Sequence, residues 1–198
     1  MLTGVGAMRS ARFAPAGLLV DCAKRVMLDG GPRSVPDGGL DAWLVTDERA
    51  ELIGHIRARA RERGLEPEVG AVHGPGLDIV PQPVVHTSRP TYGYLISVDH
   101  LRIAWAPEFL QFPDWANGAD LMFADAAGWD RPIRFAGGVG GHAAAEQVAV
   151  EAQHRGVRRL VFAHIGRPTI RAMDAGRLPA FGTFGHDGQV FHPRRWRG

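Results

Sequence analysis

Short apolar blocks alternate with charged or Gly/Pro-rich breaks along the chain, the pattern of a sheet-rich protein with few helices. LLVDC, VMLDG and DAWLVT read as early buried strands. The last breaks at Thr46 into Asp47, Glu48, Arg49, Ala50, Glu51 and Leu52, which predict the opening turn of an amphipathic helix running to about Arg63 and closed by Gly64. AVHGPGLDIVPQPVVH predicts a connector with short edge strands, because Pro is poorly tolerated in a central strand. YGYLISV and LRIAWA, separated by Asp99 and His100, predict a hairpin. DLMFADA is a further strand. A second helix is expected from Gly141 or His142 to a Gly156 cap, followed by the buried strand RRLVFAHI. A short helix around Ile170 to Ala175 and a final strand at GQVFH complete the pattern.

Strands, helix, strands, helix and closing strand fit two sheets covered by helices on their outer faces, an αββα sandwich. A chain of 198 residues can bury one good core, so a single domain is expected over 1–198, with a frayed tail from about 193. No apolar run reaches the roughly 18 residues of a spanning helix, and no charged segment followed by a long apolar one opens the chain, which together predict a cytoplasmic protein without a membrane partner.

Charge changes this picture little. Lys and Arg total 23 against 21 Asp and Glu, a net charge of +2, which is weak support for an anionic partner. Arg57, Arg59, Arg61 and Arg63 point in different directions round a helix and read as a solvated face. Arg194, Arg195, Trp196 and Arg197 give the tail a means of touching nucleic acid, although fraying is the simpler account. Cys22 is the only cysteine, which excludes an internal disulfide and a thiolate metal cluster.

The chemistry gathers at the ends of the predicted strands. Asp47, Glu48 and Glu51 read first as carboxylates favoured by a helix dipole. The stretch TDERAELIG also resembles the metallo-β-lactamase superfamily motif Thr-His-x-His-x-Asp-His, followed by an apolar residue and Gly, with Thr46, Ile53 and Gly54 in frame. On that frame Asp47 and Arg49 stand at the first two His positions, Glu51 at the Asp and Leu52 at the last His.

Other segments resemble the small phosphodiesterase branch of the superfamily in the same order. LTGVGAMRSARFAPAGLLVD matches its opening strands, MLDGGP its strand ending in Asp-Gly-Gly, and PVVHTSRPTYGYLIS the segment bearing the third metal His, here His86. IAWAPEF places Glu108 at the metal-bridging Asp, MFADAAGW places Asp125 at a strand end, and GGVGGHAAAEQVAVEAQHRGVRRLVFAHIGRP places His142 at the acid catalyst and His164 at the final metal His.

The resemblance implies a hydrolase acting on a phosphodiester or other small ester. In such a site two metals share a carboxylate and make a water nucleophilic near neutral pH. Here the implied ligands reduce to Asp47, Glu51, His86, Glu108 and His164, because Arg49 and Leu52 cannot ligate. A guanidinium among them repels a cation. The expectation is therefore at most one divalent ion (Mn, Zn or Mg), or none, with Arg49 in place of a metal and pairing with Asp47, Glu51 or Glu108.

His142, read as opening a helix where free N–H groups can hold an anion, is the implied acid. Asp29 and Asp125 are turn formers or, on the resemblance, orienters of ligand His residues. The alternative is a non-catalytic relative that binds a nucleotide, nucleic acid or protein through the same cleft, with Arg49 supplying charge. The long inserted arm of the family's tRNA-processing members is missing. Substrate identity and oligomeric state are left open.

Overall fold

The computed structural model describes residues 1–192. Four strands form the smaller sheet in sequential order, β1 (Leu2–Gly4), β2 (Gly17–Asp21), β3 (Arg25–Asp29) and β4 (Ala42–Leu44), with β3 and β4 parallel. The larger sheet is built from β5 (Val72–Gly74), β6 (Leu77–Val84), β7 (Thr91–Val98), β8 (Leu101–Ala106), β9 (Leu121–Ala126), β12 (Leu160–Ile165) and β13 (Thr183–Phe184). Its strand order is β13-β12-β9-β8-β7-β6-β5. A two-stranded ribbon of β10 (Ile133–Arg134) and β11 (Gly141–His142) lies apart from both. The helices are α1 (Ile53–Arg61), α2 (Ala145–His154) and α3 (Arg167–Asp174).

The period of two along a strand decides which layer each side chain joins. Leu18, Val26, Leu28 and Leu44 enter the core shared with Ile79, Tyr94, Ile96, Trp105 and Phe123 of the larger sheet. Their neighbours Leu19, Met27, Trp43 and Val45 face the other way and pack with Ile56 and Ala60 of α1. On the far side α2 packs on β9 and β12 through Ala145, Val148, Ala149 and Ala152. The layers are helix, sheet, sheet, helix, as the hydrophobic pattern predicts.

Four local expectations need correction. The first helix starts at Ile53 instead of Asp47, because the Asp47 side chain takes the Arg49 N–H at 2.7 Å and so holds residues 47–52 in turns. Its end is as expected, with Gly64 at φ 70° and the Leu65 N–H bonded to the Ala60 carbonyl at 3.0 Å. The predicted connector contains the eight-residue strand β6, and its prolines are tolerated because β5 pairs only with Leu77 to Ile79, leaving Pro81 and Pro83 on a free edge.

His142 belongs to β11, not to the start of α2, whose first N–H groups are already bonded to the carbonyls of Gly128 and Trp129. The closing strand is Thr183–Phe184, parallel to β12, whereas residues 188–192 form no strand. The hairpin of β7 and β8 is as expected, with Val98 opposite Leu101 and Asp99 at φ 55°. The tail residues Arg194, Arg195, Trp196 and Arg197 lie outside the described residues. Among the described residues no helix is long and apolar enough to cross a membrane.

Candidate functional site

Strand ends of the larger sheet deliver His86, Glu108 and His164, and the ribbon delivers His142, to one cavity of about 440 Å³ that is also lined by the turn after β4. Each is placed by a local device. His164 has φ 54°, a left-handed conformation at the register shift between Ala163 and Ile165, and this bulge turns its side chain out of the β9–β12 ladder. Glu108 lies just beyond β8, and His86 just beyond β6.

His142 is held by the ribbon, whose second strand is entered through Gly140 and Gly141 at φ 152° and 153°. A Cβ at Gly140 would fall on the His86 carbonyl oxygen and one at Gly141 on the Ile133 carbonyl, so the close approach requires glycine at both. The Gly141 N–H donates to the His86 carbonyl at 2.8 Å and the Gly141 carbonyl accepts from His86 Nδ1 at 2.9 Å. The glycine run thereby fixes His86 and His142 together.

Asp125 anchors the centre. It is fully buried, and accepts the Phe109 N–H at 3.0 Å, the Ala127 N–H at 2.8 Å and His142 Nδ1 at 2.8 Å. With Asp125 accepting there, His142 carries a proton on Nδ1, and its ring lines the cavity. The His142 ring stacks on His164 with centroids 5.1 Å apart and lies 4.7 Å from His86, while Phe135 packs edge-on against both His86 and His142.

Glu108 spans the other two imidazoles. One oxygen lies 3.3 Å from His86 Nε2 and the other 3.2 Å from His164 Nδ1. Both contacts are longer than the 2.7–2.9 Å of a tight charge-assisted bond.

Burial opposes a charged His142, but the charge and hydrogen bond of Asp125, with Glu108, outweigh it and hold the imidazole above its ordinary pKa. Burial holds His164 below its ordinary value, against the carboxylates of Glu108 and Asp125. Burial would raise Glu108, yet His164, His86 and His142 together hold it low. Two stacked imidazoles are thus pushed apart, His142 toward proton donor and His164 toward proton acceptor.

Asp29 forms part of the rear wall. It ends β3 at φ 51°, and accepts from the Thr46 N–H at 2.8 Å, the Thr46 hydroxyl at 2.9 Å and Trp105 Nε1 at 2.7 Å. Burial pushes its pKa up to about 6 against the bonds from Trp105 and Thr46. It touches none of the imidazoles through a hydrogen bond; its partners tie β3, the Thr46 turn and β8 together.

The opposite wall differs from expectation. Arg49 and Glu51 both line the cavity but are exposed, and among the described residues the Arg49 side chain forms no ion pair with Asp47, Glu51 or Glu108. Asp47 is buried and its second oxygen faces Arg89 Nη2 at 3.5 Å. The guanidinium that pairs with Asp47 is therefore Arg89, not Arg49. Sequence reasoning passed over Arg89 and Phe135; the only available signal was their position beside His86 and before the glycine run.

The donor set does not fit a preformed metal centre. Each Glu108 oxygen meets one imidazole, Asp47 is taken up by an arginine and an amide, and Glu51 stands at the rim. Among the described residues no three His, Cys, Asp or Glu side chains gather so as to hold an ion. Trp105, Trp115 and Trp129 do not line the cavity; Trp105 and Trp129 are buried in the core.

No protein-family model matches the chain, and no curated protein matches it in sequence. Solved structures do match over almost the full length. The metallo-β-lactamase fold protein YhfI from Bacillus subtilis is 14% identical with a TM-score of 0.69, covering 96% of this chain and 98% of its own. A diphosphatase from the PhnP family is 19% identical with a TM-score of 0.69, covering 97% of each chain. An isothiocyanate hydrolase from Delia radicum gut bacteria is 12% identical with a TM-score of 0.54, covering 96% of this chain and 98% of its own. With its two sheets, outer helices and strand-end site, this chain has the metallo-β-lactamase fold.

Proposed function

We propose that this chain is a hydrolase of small esters, with a phosphodiester as the preferred substrate class and His142 as the acid. The Asp125–His142 pair carries the reading: the buried Asp125 side chain fixes one ring nitrogen at 2.8 Å, and the imidazole lines a cavity. Purely structural imidazoles are rarely oriented this way toward open space beside two further imidazoles and a carboxylate.

In the proposed reaction the oxygen of a water bonds to phosphorus or acyl carbon, and the bond to the leaving oxygen breaks. His142 Nε2 delivers its proton to that oxygen, and the proton lost by the water restores His142. Asp125 holds the tautomer and stabilises the charged ring. Glu108, His86 and His164 order the attacking water. No step is assigned to a metal, because the donors do not converge on one. A single divalent ion held by His86, Glu108 and His164 would require those side chains to move. Two neighbours of the same fold are described as a diphosphatase and a hydrolase, which is in keeping with this chemistry.

The test is turnover of a chromogenic phosphodiester with and without Mn. His142→Gln is expected to lower kcat about 100-fold or more. Equal turnover by wild type and variant would reject the assignment. A second reading, binding of an anionic ligand without turnover, is favoured by the non-ligating Arg49 and Leu52 at two His positions of the family motif; it predicts ligand binding with no hydrolysis under any metal condition.

A further inference from the structure

The cavity is also lined by two guanidinium groups whose donors the fold leaves mostly unengaged. Arg49 lines the cavity, is exposed, and has no side-chain partner among the described residues. Arg89 lines it too, is 45% exposed at its side chain, and touches Asp47 through one nitrogen at the long distance of 3.5 Å. Most of the donor fork of Arg89 is left for a ligand.

Both arginines are organised by Asp47. One carboxylate oxygen accepts the Arg49 N–H at 2.7 Å and fixes the backbone from which that side chain projects; the other faces the Arg89 guanidinium. The Arg89 backbone is braced separately, its N–H donating to the Thr87 hydroxyl at 3.2 Å, which in turn lies 3.1 Å from the Thr91 hydroxyl. Competing negative charge is mostly engaged. Asp29 takes three donors and Glu108 lies between two imidazoles, which leaves Glu51, exposed at the rim.

We infer that Arg49 and Arg89 form an arginine clamp for the anionic oxygens of the ligand, and that Asp47 is the positioning residue that sets the clamp. Planar guanidinium forks match two oxygens of a phosphate, so the ligand class is one carrying a phosphoryl anion. The clamp gives the proposed hydrolase its preference for phosphodiesters and rests on that reading for turnover, but not for binding.

Calorimetric titration with inorganic phosphate separates the two. Wild type is expected to bind phosphate with an affinity that falls as salt rises. Arg89→Ala and Arg49→Ala are each expected to weaken it about tenfold. Asp47→Asn is the decisive variant. Removing a negative charge from the cavity should tighten anion binding if charge alone matters, whereas loss of the organiser should loosen it about tenfold or more. Thermal melting identifies any variant that has simply unfolded, and the exposed Arg89 then carries the test. Absence of phosphate binding by wild type, unchanged binding in both arginine variants, or tighter binding by Asp47→Asn would overturn the clamp. Phosphate binding lost in the variants, in a protein that hydrolyses nothing, supports the clamp while rejecting the hydrolase.

Discussion

The two walls of the cavity are built on different principles. The wall from the larger sheet is a bonded cluster: Asp125 with three donors, His86 locked to Gly141, and Glu108 between His86 and His164. The wall from the turn after β4 is a set of exposed charges, Arg49 and Glu51, with only Asp47 buried. The difference teaches that the side chains proposed to move protons are bonded parts of the sheet core, whereas Arg49, proposed to meet a ligand, is mounted on a turn and can change without threatening the fold.

The largest effect that would sharpen this contrast is expected at Asp125. Replacing it by Ala leaves two buried N–H groups and an imidazole without their acceptor, at a cost of about 3 kcal/mol or more. A loss below about 1 kcal/mol in urea unfolding would mean that the cluster is not part of the core. Gly140→Ala comes next, since the added Cβ meets the His86 carbonyl and the φ of 152° is unfavourable; about 2 kcal/mol is expected by the same measurement, and no change would show that the ribbon relaxes freely.

Asp29 supplies a test by pH. Its carboxyl is pushed up to about 6 from an ordinary 3.8, so between those values the folded protein binds more protons than the unfolded chain. This group alone therefore makes stability fall as pH rises from 3.8 to about 6, and the penalty is constant above that. A carboxyl titration near 6 that follows Asp29 in carbon-detected NMR would bear this out; titration near 4 would place the three donor bonds above burial. The smallest effect is expected at Arg49→Ala, within about 0.5 kcal/mol, because the side chain has no partner among the described residues. A larger loss would erase the distinction between the walls.

The fold was legible because it follows from periodicity. LLVDC, VMLDG, YGYLISV, LRIAWA and RRLVFAHI alternate or run apolar in ways that only packed strands satisfy, and Gly64 announces its helix end. Much of the site was legible as well, through the family resemblance: His86, Glu108, His142 and His164 line one cavity, and Asp125 is buried behind His142. What could not be read were local competitions. Nothing in DERAEL reveals that the Asp47 side chain captures the Arg49 amide and delays the helix to Ile53. Nor does GGVGGH reveal whether its glycines lead into a helix or a ribbon, since both use positive φ. Arg89 was missed because its role depends on a contact with Asp47, 42 residues away in sequence.

The central claim is that the Asp125–His142 pair works in a cavity without an ordinary pair of metals. Metal content and phosphodiester turnover, measured on the same purified wild-type sample and on His142→Gln, test it most directly. The account predicts no more than one tightly held ion per chain, with turnover in the wild type that the substitution removes. Two tightly held zinc ions per chain, or hydrolysis undiminished by His142→Gln, would contradict it.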